Sequence, residues 1–433
     1  MKRVTPRNLD RCHFGLRPGV SLAQRQGGFA VCKFPDEYPV NLFGAKILAT
    51  LAKQEPLGEL IRSIYTQHGA RAKKVRNDVI RFLRRAYRAG LISVLHYNVP
   101  VAVPEWDVDT PLTVQLALTR ACNMRCAHCF IANYGARMPF SEVHSTLLQL
   151  AAAGTELVNF TGGEIFSRSD IVAIFELTTK LGLSYGFTTN GTLVTPRIVN
   201  RLVRIPPEIV GVSLYGHTPQ LHEEITKAPG SFEKTVRAIK LFASAGFNVT
   251  VKTMLTLANH THISRIRQFG KELGARDVVF DPCFVRREDG SEEPWTFRLS
   301  GTKLRDFDES EFRAESQRFR RNLADSVCNA GADRLAIGAD GTVYPCGLFK
   351  LSIGNLRGSS LNVILKESAK LKEIRNYRVR DLPTQCLSCS LLDRCTICPG
   401  MSFAERGDYR RPWEFECLRT RARHGDKLAD KPK

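Results

Sequence analysis

The sequence predicts an α/β fold, in which a partial barrel of six parallel strands follows a small winged-helix domain and precedes a cysteine-rich module. Three observations support this prediction. Apolar and amphipathic segments alternate through the middle of the chain, the first hundred residues have a helical periodicity of their own, and cysteines concentrate in two fields. We place the domains at residues 1–105, 106–310 and 311–433.

The N-terminal domain is predicted to contain three helices and flanking strands. The segments VNLFGAKILATL and PLGELIRSIY each place apolar residues on one helical face. KVRNDVIRFLRRAYRAG predicts a longer helix that buries its apolar face, displays arginines and ends at Gly90. GFAVCKF and LISVLHY are typical of strands. This order indicates a winged helix, in which we interpret Cys12 and Cys32 as buried thiols.

The barrel begins with the strand predicted in PLTVQLALTR. Five further strands are expected near 156–161, 185–189, 209–214, 248–254 and 277–283, with helices such as SEVHSTLLQLAAAG and GSFEKTVRAIKLFASAG between them. The open side of such a barrel would admit a peptide. The polar segment 288–311 is predicted to connect the barrel to the C-terminal module, and the basic tail 419–433 is predicted to be disordered.

Three cysteines, Cys122, Cys126 and Cys129 in CNMRCAHC, fall in the loop after the first strand. Their spacing holds a 4Fe-4S cluster by three of its four irons, whereas a cluster for electron transfer normally has four thiolates. The fourth iron would therefore be open to a ligand. A zinc site or a chance grouping is the alternative interpretation.

This triad and the motifs after it resemble the radical S-adenosylmethionine (SAM) family over roughly residues 107–290. His128 occupies the aromatic position before the last cysteine, and Gly162, Gly163 and Glu164 in NFTGGE follow a strand, as does the family's segment for the methionine amino group of SAM. The resemblance continues at the ends of the next two strands, where the family contacts SAM, with Thr189 and Asn190 in YGFTTNGTL and Ser213 in GVSLYG.

The resemblance implies a specific chemistry. SAM would chelate the open iron, an electron from the cluster would break its C–S bond, and a 5'-deoxyadenosyl radical would abstract hydrogen from a substrate. The triad would be the catalytic group, and a reductant such as flavodoxin or ferredoxin would supply the electron. A fourth cysteine ligand would block this reaction.

The second cysteine field resembles the SPASM extension, which carries two auxiliary 4Fe-4S clusters in radical enzymes that modify peptides. By this resemblance the first auxiliary cluster takes Cys328, Cys346 and Cys398, and the second takes Cys386, Cys389, Cys395 and Cys417. The chain departs from the family in having two residues, where three are usual, between Cys395 and Cys398. A zinc ribbon on the two CxxC pairs is the alternative.

Cys283, at the end of the sixth predicted strand, stays outside this assignment. It could complete an auxiliary cluster, donate a hydrogen atom to a substrate radical, or only pack in the interior.

The composition limits which binding partners and which cellular compartment are expected for this chain. The chain has 433 residues with a net charge of +20, which favours an acidic or polyanionic partner without choosing among them. Its 13 cysteines are too dilute for a disulfide scaffold, and it has neither a long apolar run nor a signal-peptide pattern. We expect a cytoplasmic protein with no membrane partner.

The N-terminal pattern resembles, over roughly residues 12–97, the PqqD-like domain that captures the leader of a ribosomally made precursor peptide by strand addition. Plain scaffolding and nucleic-acid binding are the alternatives for this domain, the last supported only by charge.

The sequence therefore predicts a radical SAM enzyme that modifies a precursor peptide and forms a thioether or C–C crosslink. Epimerisation, backbone excision, a sulfatase-maturase-like activity and a haem or quinone cofactor pathway are competing enzyme hypotheses. In the sulfatase maturases an Asp that acts as the catalytic base follows the cysteine of the Gly-x4-Cys element. This chain has Gly347 at that position, which argues against that activity. The hypothesis from a different class is a redox-sensing iron–sulfur protein that binds nucleic acid.

Overall fold

The chain divides into two compact units, Met1–Val108 and Asp109–Lys433. The structure, a computed structural model, describes residues 111–300, 303–304 and 322–424; in the first 110 residues it describes five strands and the helical positions 47, 48 and 82.

The described strands of the first unit form two small antiparallel sheets. Strand β1 (His13–Leu16) pairs with β5 (Ile92–Leu95), and β2 (Val20–Arg25), β3 (Gly28–Lys33) and β4 (Asp36–Val40) form a three-stranded sheet in that order. The strands expected in GFAVCKF and LISVLHY are confirmed. The three predicted helices lie outside the described residues except at positions 47, 48 and 82.

The second unit contains the partial barrel, and the prediction of six parallel strands is confirmed. Neighbouring strands in space are neighbours in sequence, so each crossover returns to the next position of the sheet. The strands are β6 (Thr113–Thr119), β7 (Leu157–Gly162), β8 (Ser184–Thr189), β9 (Ile209–Ser213), β10 (Val249–Met254) and β11 (Asp277–Asp281).

Six helices connect these strands and cover the outer face of the sheet. Their apolar faces close one core with the strand residues; α1, for example, buries Val143, Leu147 and Leu150 against the cluster that includes Val158 and Phe160. The helices are α1 (Phe140–Ala152), α2 (Ile171–Lys180), α3 (Pro196–Leu202), α4 (Pro219–Thr226), α5 (Ser231–Ser244) and α6 (Ile263–Glu272).

The C-terminal region extends the sheet, which the sequence did not predict. Strand β12 (Arg334–Ile337) pairs in parallel with β6, and β13 (Thr342–Tyr344) and β14 (Gly354–Asn355) follow in antiparallel pairing. The nine-stranded sheet has the order β11-β10-β9-β8-β7-β6-β12-β13-β14, so it has two edges and does not close. The run RLAI is too short to predict a strand unless the strand that it pairs with is already known.

Five helices complete the cysteine-rich region: α7 (Leu361–Glu367), α8 (Ala369–Arg375), α9 (Thr384–Leu387), α10 (Pro399–Arg406) and α11 (Glu414–His424). The prediction of a disordered basic tail from residue 419 is wrong up to residue 424. Phe415 and Ala422 on α11 are buried, and Arg419 is buried beside Glu416 at 3.5 Å, so the helix packs on the protein rather than in solvent. Residues 425–433 lie outside the described part of the chain. None of the described helices combines the length and the apolar character needed to cross a membrane.

Arg168 joins the loop after β7 to the loop between β6 and α1. Its guanidinium is 2% exposed and donates to the carbonyl oxygens of Leu118 and Met138 at 2.9 and 2.7 Å, and it also donates two hydrogen bonds to Asp170. A buried guanidinium with all of its partners in place is stable only as a complete set, because removal of one member leaves the others unpaired.

We expect Arg168→Ala to lower the free energy of unfolding by about 1–3 kcal/mol, since it removes a donor from the buried carbonyls of Leu118 and Met138 and leaves Asp170 paired with Arg137 alone. The exposed pair of Arg201 and Glu176 is the control, and Arg201→Ala should cost about 0–1 kcal/mol. Urea denaturation followed by circular dichroism measures both. Equal effects of the two substitutions would contradict a special role for Arg168.

Candidate active-site cavity

A cavity of about 1050 Å³ opens at the carboxyl ends of the barrel strands. The last residues of five successive strands line it: Gly162, Thr189, Ser213, Met254 and Asp281. Polar and backbone groups from separate strands converge at this edge because all six strands run in the same direction. The cavity is therefore the candidate site for cofactor and substrate.

The predicted triad lies together on the wall of this cavity. Burial, and then the charges of Cys129 and Cys122, raise the pKa of the Cys126 thiol to about 12, so the three thiols are close enough to influence one another. In the described part of the chain no three Cys, His, Asp or Glu side chains converge on the position of one metal ion. A cubane cluster places each thiolate on a different iron, so its ligands need no such common point.

His128, the residue before the third cysteine, packs in an aromatic contact behind the triad. Its ring centroid lies 4.8 Å from that of Tyr215 and 6.4 Å from that of Phe284, both edge-to-face. Burial lowers the pKa of His128 to about 4, so the ring is neutral, and its buried Nδ1 has no hydrogen-bond partner in the structure. Ser213, which also lines the cavity, hydrogen-bonds Tyr215 with its side chain.

Gly162 and Gly163 let the end of β7 contact the start of the cysteine loop. A Cβ at Gly162 would lie 2.1 Å from the Thr119 carbonyl oxygen, and one at Gly163 would lie 2.2 Å from that of Ala121. The amides of Gly163 and Glu164 donate to these two carbonyls at 2.7 and 2.8 Å. Because a backbone cannot move aside as a flexible side chain can, no larger residue fits at either glycine.

Glu164, which the sequence analysis placed in the SAM-binding segment, uses its side chain in the interior of the protein. Its side chain is fully buried behind the cavity wall, where the carboxylate accepts hydrogen bonds from the Thr189 hydroxyl at 2.7 Å, the Asn190 amide at 2.7 Å and the Phe166 amide at 3.0 Å. Burial raises the pKa of Glu164, and these three bonds oppose that shift. The carboxylate therefore fixes the end of β8 to the turn after β7.

Asn190 connects this network to the triad. Its Nδ2 donates to Asn123 Oδ1 at 3.0 Å and lies 3.9 Å from the Cys122 Sγ, and its Oδ1 accepts from Thr192. Tyr134 approaches the triad from the other side. Burial, and then a hydrogen bond to the Cys129 thiol, raise the pKa of the Tyr134 hydroxyl to about 12. Two polar side chains thus contact the sulfur atoms of two members of the triad.

The cysteines of the second field separate into two groups. Burial and the neighbouring thiols of Cys346 and Cys328 raise the pKa of Cys398, to about 11. Burial and the neighbouring thiols of Cys386 and Cys389 raise that of Cys417, likewise to about 11. The first group thus contains all three cysteines that the SPASM resemblance assigns to one cluster. The second contains three of the four that it assigns to the other.

Cys283 lines the cavity, but its nearest ionisable neighbours lie in the barrel and on α11. Burial raises its pKa strongly, followed by the charge of Asp281, which also bonds the Cys283 amide at 2.8 Å. Arg419 and Glu416 are the next neighbours. Thiols of the two groups above are not among these neighbours.

Several cavity residues escaped the sequence analysis. Arg120 forms an ion pair with Glu288 at 3.0 Å, although the segment that begins at Glu288 was interpreted as a linker. Lys252 crosses above Gly211 to donate to the Thr188 hydroxyl at 3.1 Å, and Lys350 enters the cavity from the cysteine-rich region. Single charged residues far apart in sequence carry no local signal that they will meet.

Sequence comparisons match each of the two cysteine fields to a known protein family. Residues 116–269 match the family described as the Radical SAM superfamily, and residues 328–390 match a SPASM domain, described as an iron-sulfur cluster-binding domain. The first match contains the triad and the ends of β7 to β9, and the second contains four of the seven C-terminal cysteines.

Individual relatives are distant. The chain is 25% identical over 334 residues to the AdoMet-dependent heme synthase of Methanosarcina barkeri, a match that covers 70% of this chain and 95% of the synthase. It is 30% identical over 176 residues to the mycofactocin maturase MftC of Mycobacterium tuberculosis, covering 40% and 44% of the two chains. The fold is similar to that of Streptococcus suis SuiB bound to its precursor peptide SuiA, with a TM-score of 0.58, 16% identity and coverage of 93% and 99%.

The residues present fit the cofactors of these domains, since the cavity wall carries three mutually close thiols and each C-terminal group adds at least three more. With its unclosed barrel, its triad at the strand ends and its two domain matches, the chain is an enzyme of the radical SAM type, with a C-terminal SPASM domain, that uses SAM and 4Fe-4S clusters.

Proposed function

We propose that this enzyme modifies a ribosomally synthesised precursor peptide and that the modification is a thioether or C–C crosslink. The observation that carries the proposal is the continuity of the cavity. The triad and the SPASM residues Gly347, Leu348 and Phe403 line the same space. A substrate held there would contact both the site of radical formation and the region of an auxiliary cluster.

Each group of residues around the cavity would have a separate role in the reaction. When bound, the cluster and SAM would supply radical chemistry, in which a 5'-deoxyadenosyl radical abstracts a hydrogen atom from the peptide. Cys122, Cys126 and Cys129 would hold the cluster, and Gly162 and Gly163 would keep the methionine end of SAM beside it through the backbone of the β7 turn. Cys328, Cys346 and Cys398 would hold an auxiliary cluster, which could accept the electron that crosslink formation releases.

The first unit supports recognition of a peptide leader. Its three-stranded sheet has β2 and β4 at its edges, and an extended peptide can bind to such an edge through main-chain hydrogen bonds alone. Among the candidate roles for the unit, PqqD-like leader capture uses this edge directly. The net charge of +20 would favour an acidic leader.

A sulfatase-maturase-like activity is less compatible with the site. The position after Cys346 is Gly347, and a Cβ there would lie 2.0 Å from the Gln115 side-chain oxygen. The Gln115 amide therefore occupies the space into which an Asp side chain at 347 would extend. The base of that reaction is absent from this position.

A haem or other cofactor pathway is the second candidate function, favoured by the 95% coverage of the heme synthase. That match leaves about a third of this chain unpaired, whereas the likeness to SuiB extends over 93% of it. The longer likeness is the reason to place peptide modification first.

The proposal is tested by anaerobic reconstitution with SAM, a strong reductant and the short peptide encoded beside the gene. We expect the peptide to stimulate 5'-deoxyadenosine formation and to lose two hydrogens for each new bond, because one leaves as an atom and one as a proton. Mass spectrometry and chromatography of the nucleoside measure the two quantities.

Cys126→Ala is the control for this experiment, and it should form no 5'-deoxyadenosine while the C-terminal cysteines still bind iron. A peptide whose mass is unchanged after reaction in H2O, but which takes up deuterium when the reaction is run in D2O, would indicate epimerisation instead of crosslinking. Conversion of an iron porphyrin with no effect on the peptide would favour the cofactor pathway.

We also expect Asn190→Ala to lower the reduction potential of the SAM-binding cluster. Donors to the sulfur atoms of a cluster stabilise its reduced, more negative state, and the substitution removes the side-chain donor that lies 3.9 Å from the Cys122 Sγ. Potentiometric titration followed by electron paramagnetic resonance measures the shift.

Asn248→Ala is the matched control, because that amide donates to the Glu208 carbonyl at the opposite ends of the strands. It should leave the potential unchanged. A potential in Asn190→Ala equal to that of the control, at equal iron content, would show that the Asn190 amide does not act on the cluster.

A further inference from the structure

A second, smaller pocket of about 110 Å³ continues from the main cavity into the barrel. Gln115 and Ala117 line it, and both precede the end of β6, so this inner pocket lies deeper than the strand ends. Arg120, Tyr344 and Lys350 line both spaces, which shows that the two are connected.

Lys350 is the cation at this junction without a counter-ion. Its Nζ lies 5.1 Å from the ring centroid of Tyr344 and 5.6 Å from that of Phe130. In the part of the chain that the structure describes, Lys350 has no ion pair, whereas Arg120 beside it is paired with Glu288 at 3.0 Å. The side chain is open to the water of the cavity, yet the protein around it desolvates the ammonium enough to lower its pKa.

We propose that Lys350 binds a carboxylate of the substrate at the mouth of the inner pocket, so that the modified segment of the peptide carries an Asp or Glu residue there. This inference deepens the proposed function, and it rests on that proposal for the substrate being a peptide. By this proposal the SPASM domain contributes a residue that selects the substrate, in addition to the cysteines that would bind clusters.

Charge and size both favour this ligand. Of the charged residues that line the inner pocket, Arg120 and Glu288 form an ion pair and Lys350 forms none, although the carboxylates of Glu288 and Asp340 act on its charge from a distance. A substrate carboxylate in the pocket would contact the Lys350 ammonium directly. A volume of about 110 Å³ has room for a group as small as a carboxylate. The two aromatic rings attract an ammonium ion and restrict its direction.

SAM is a second source of a carboxylate in the same cavity, so the experiment must separate the two sources. The reconstituted full chain, saturated with SAM, is titrated with acetyl-Gly-Glu-Gly-amide and with acetyl-Gly-Gln-Gly-amide by calorimetry. We expect the Glu peptide to bind about tenfold more tightly than its isosteric Gln counterpart, the amount expected for one charged hydrogen bond. Lys350→Gln should remove this preference, and Lys366→Gln, a change at an exposed lysine on α7, should preserve it.

Equal binding of the two peptides to the wild type, or a preference that survives in Lys350→Gln, would overturn the inference. A roughly tenfold loss of SAM affinity in Lys350→Gln without any preference for Glu would also overturn it, because Lys350 would then hold the carboxylate of SAM. 5'-Deoxyadenosine formation is measured in the same preparations. Its absence from the wild type would count against the proposed function, whereas its presence without a preference for Glu would count against this inference alone.

Discussion

The geometry of the cavity depends on one buried carboxylate. Glu164 places a carboxyl group in the interior, where its oxygens accept hydrogen bonds from three donors, none of which is a cation. Desolvation of a carboxylate is costly, and a buried one persists only where donors replace its water shell. Two of the donors belong to Thr189 and Asn190 at the end of β8, so the same bonds that keep the carboxylate stable hold two strand ends in register.

The glycine pair before Glu164 supplies a second constraint on the same turn. Gly162 has φ +144°, and its neighbour Gly163 lies against the backbone of Ala121. The turn after β7 is thus fixed on one side to the start of the cysteine loop and on the other, through Glu164, to β8. The position of the triad therefore follows from contacts of β7 and β8 as much as from the spacing of the cysteines themselves.

Local patterns explain what the sequence predicted and long-range contacts explain what it did not. The six strands were predictable because apolar runs alternate with amphipathic helices, and the cysteine groups because their spacing is a local property. The parallel pairing of β12 with β6 joins residues more than 200 positions apart, and no local pattern carries it. The motif identified Glu164, but the hydrogen bonds of its carboxylate to Thr189 and Asn190 could not be predicted, because a motif names a residue without giving the direction of its side chain.

The basic tail shows the same limit. Its charged residues are typical of a solvated segment, and the buried contacts of Phe415 and Ala422 that order α11 depend on a surface formed elsewhere in the chain. Composition alone describes a helix of this kind as disordered whenever its apolar positions are few.

Net charge is informative here only after the ion pairs are known. A value of +20 suggests an acidic partner, but it does not say which cation would meet that partner. Of the cations on the cavity wall, Arg286 pairs with Glu292 at 2.5 Å and Arg287 with Glu293 at 2.8 Å. A charge that already has a partner offers little to a ligand, because binding the ligand would first break the existing pair. Lys252 and Lys350 are the wall cations that form no ion pair in the part of the chain that the structure describes, and of these two only Lys350 also lines the inner pocket. The proposed selectivity therefore depends on where an unpaired cation lies, and not on how many cations the sequence contains.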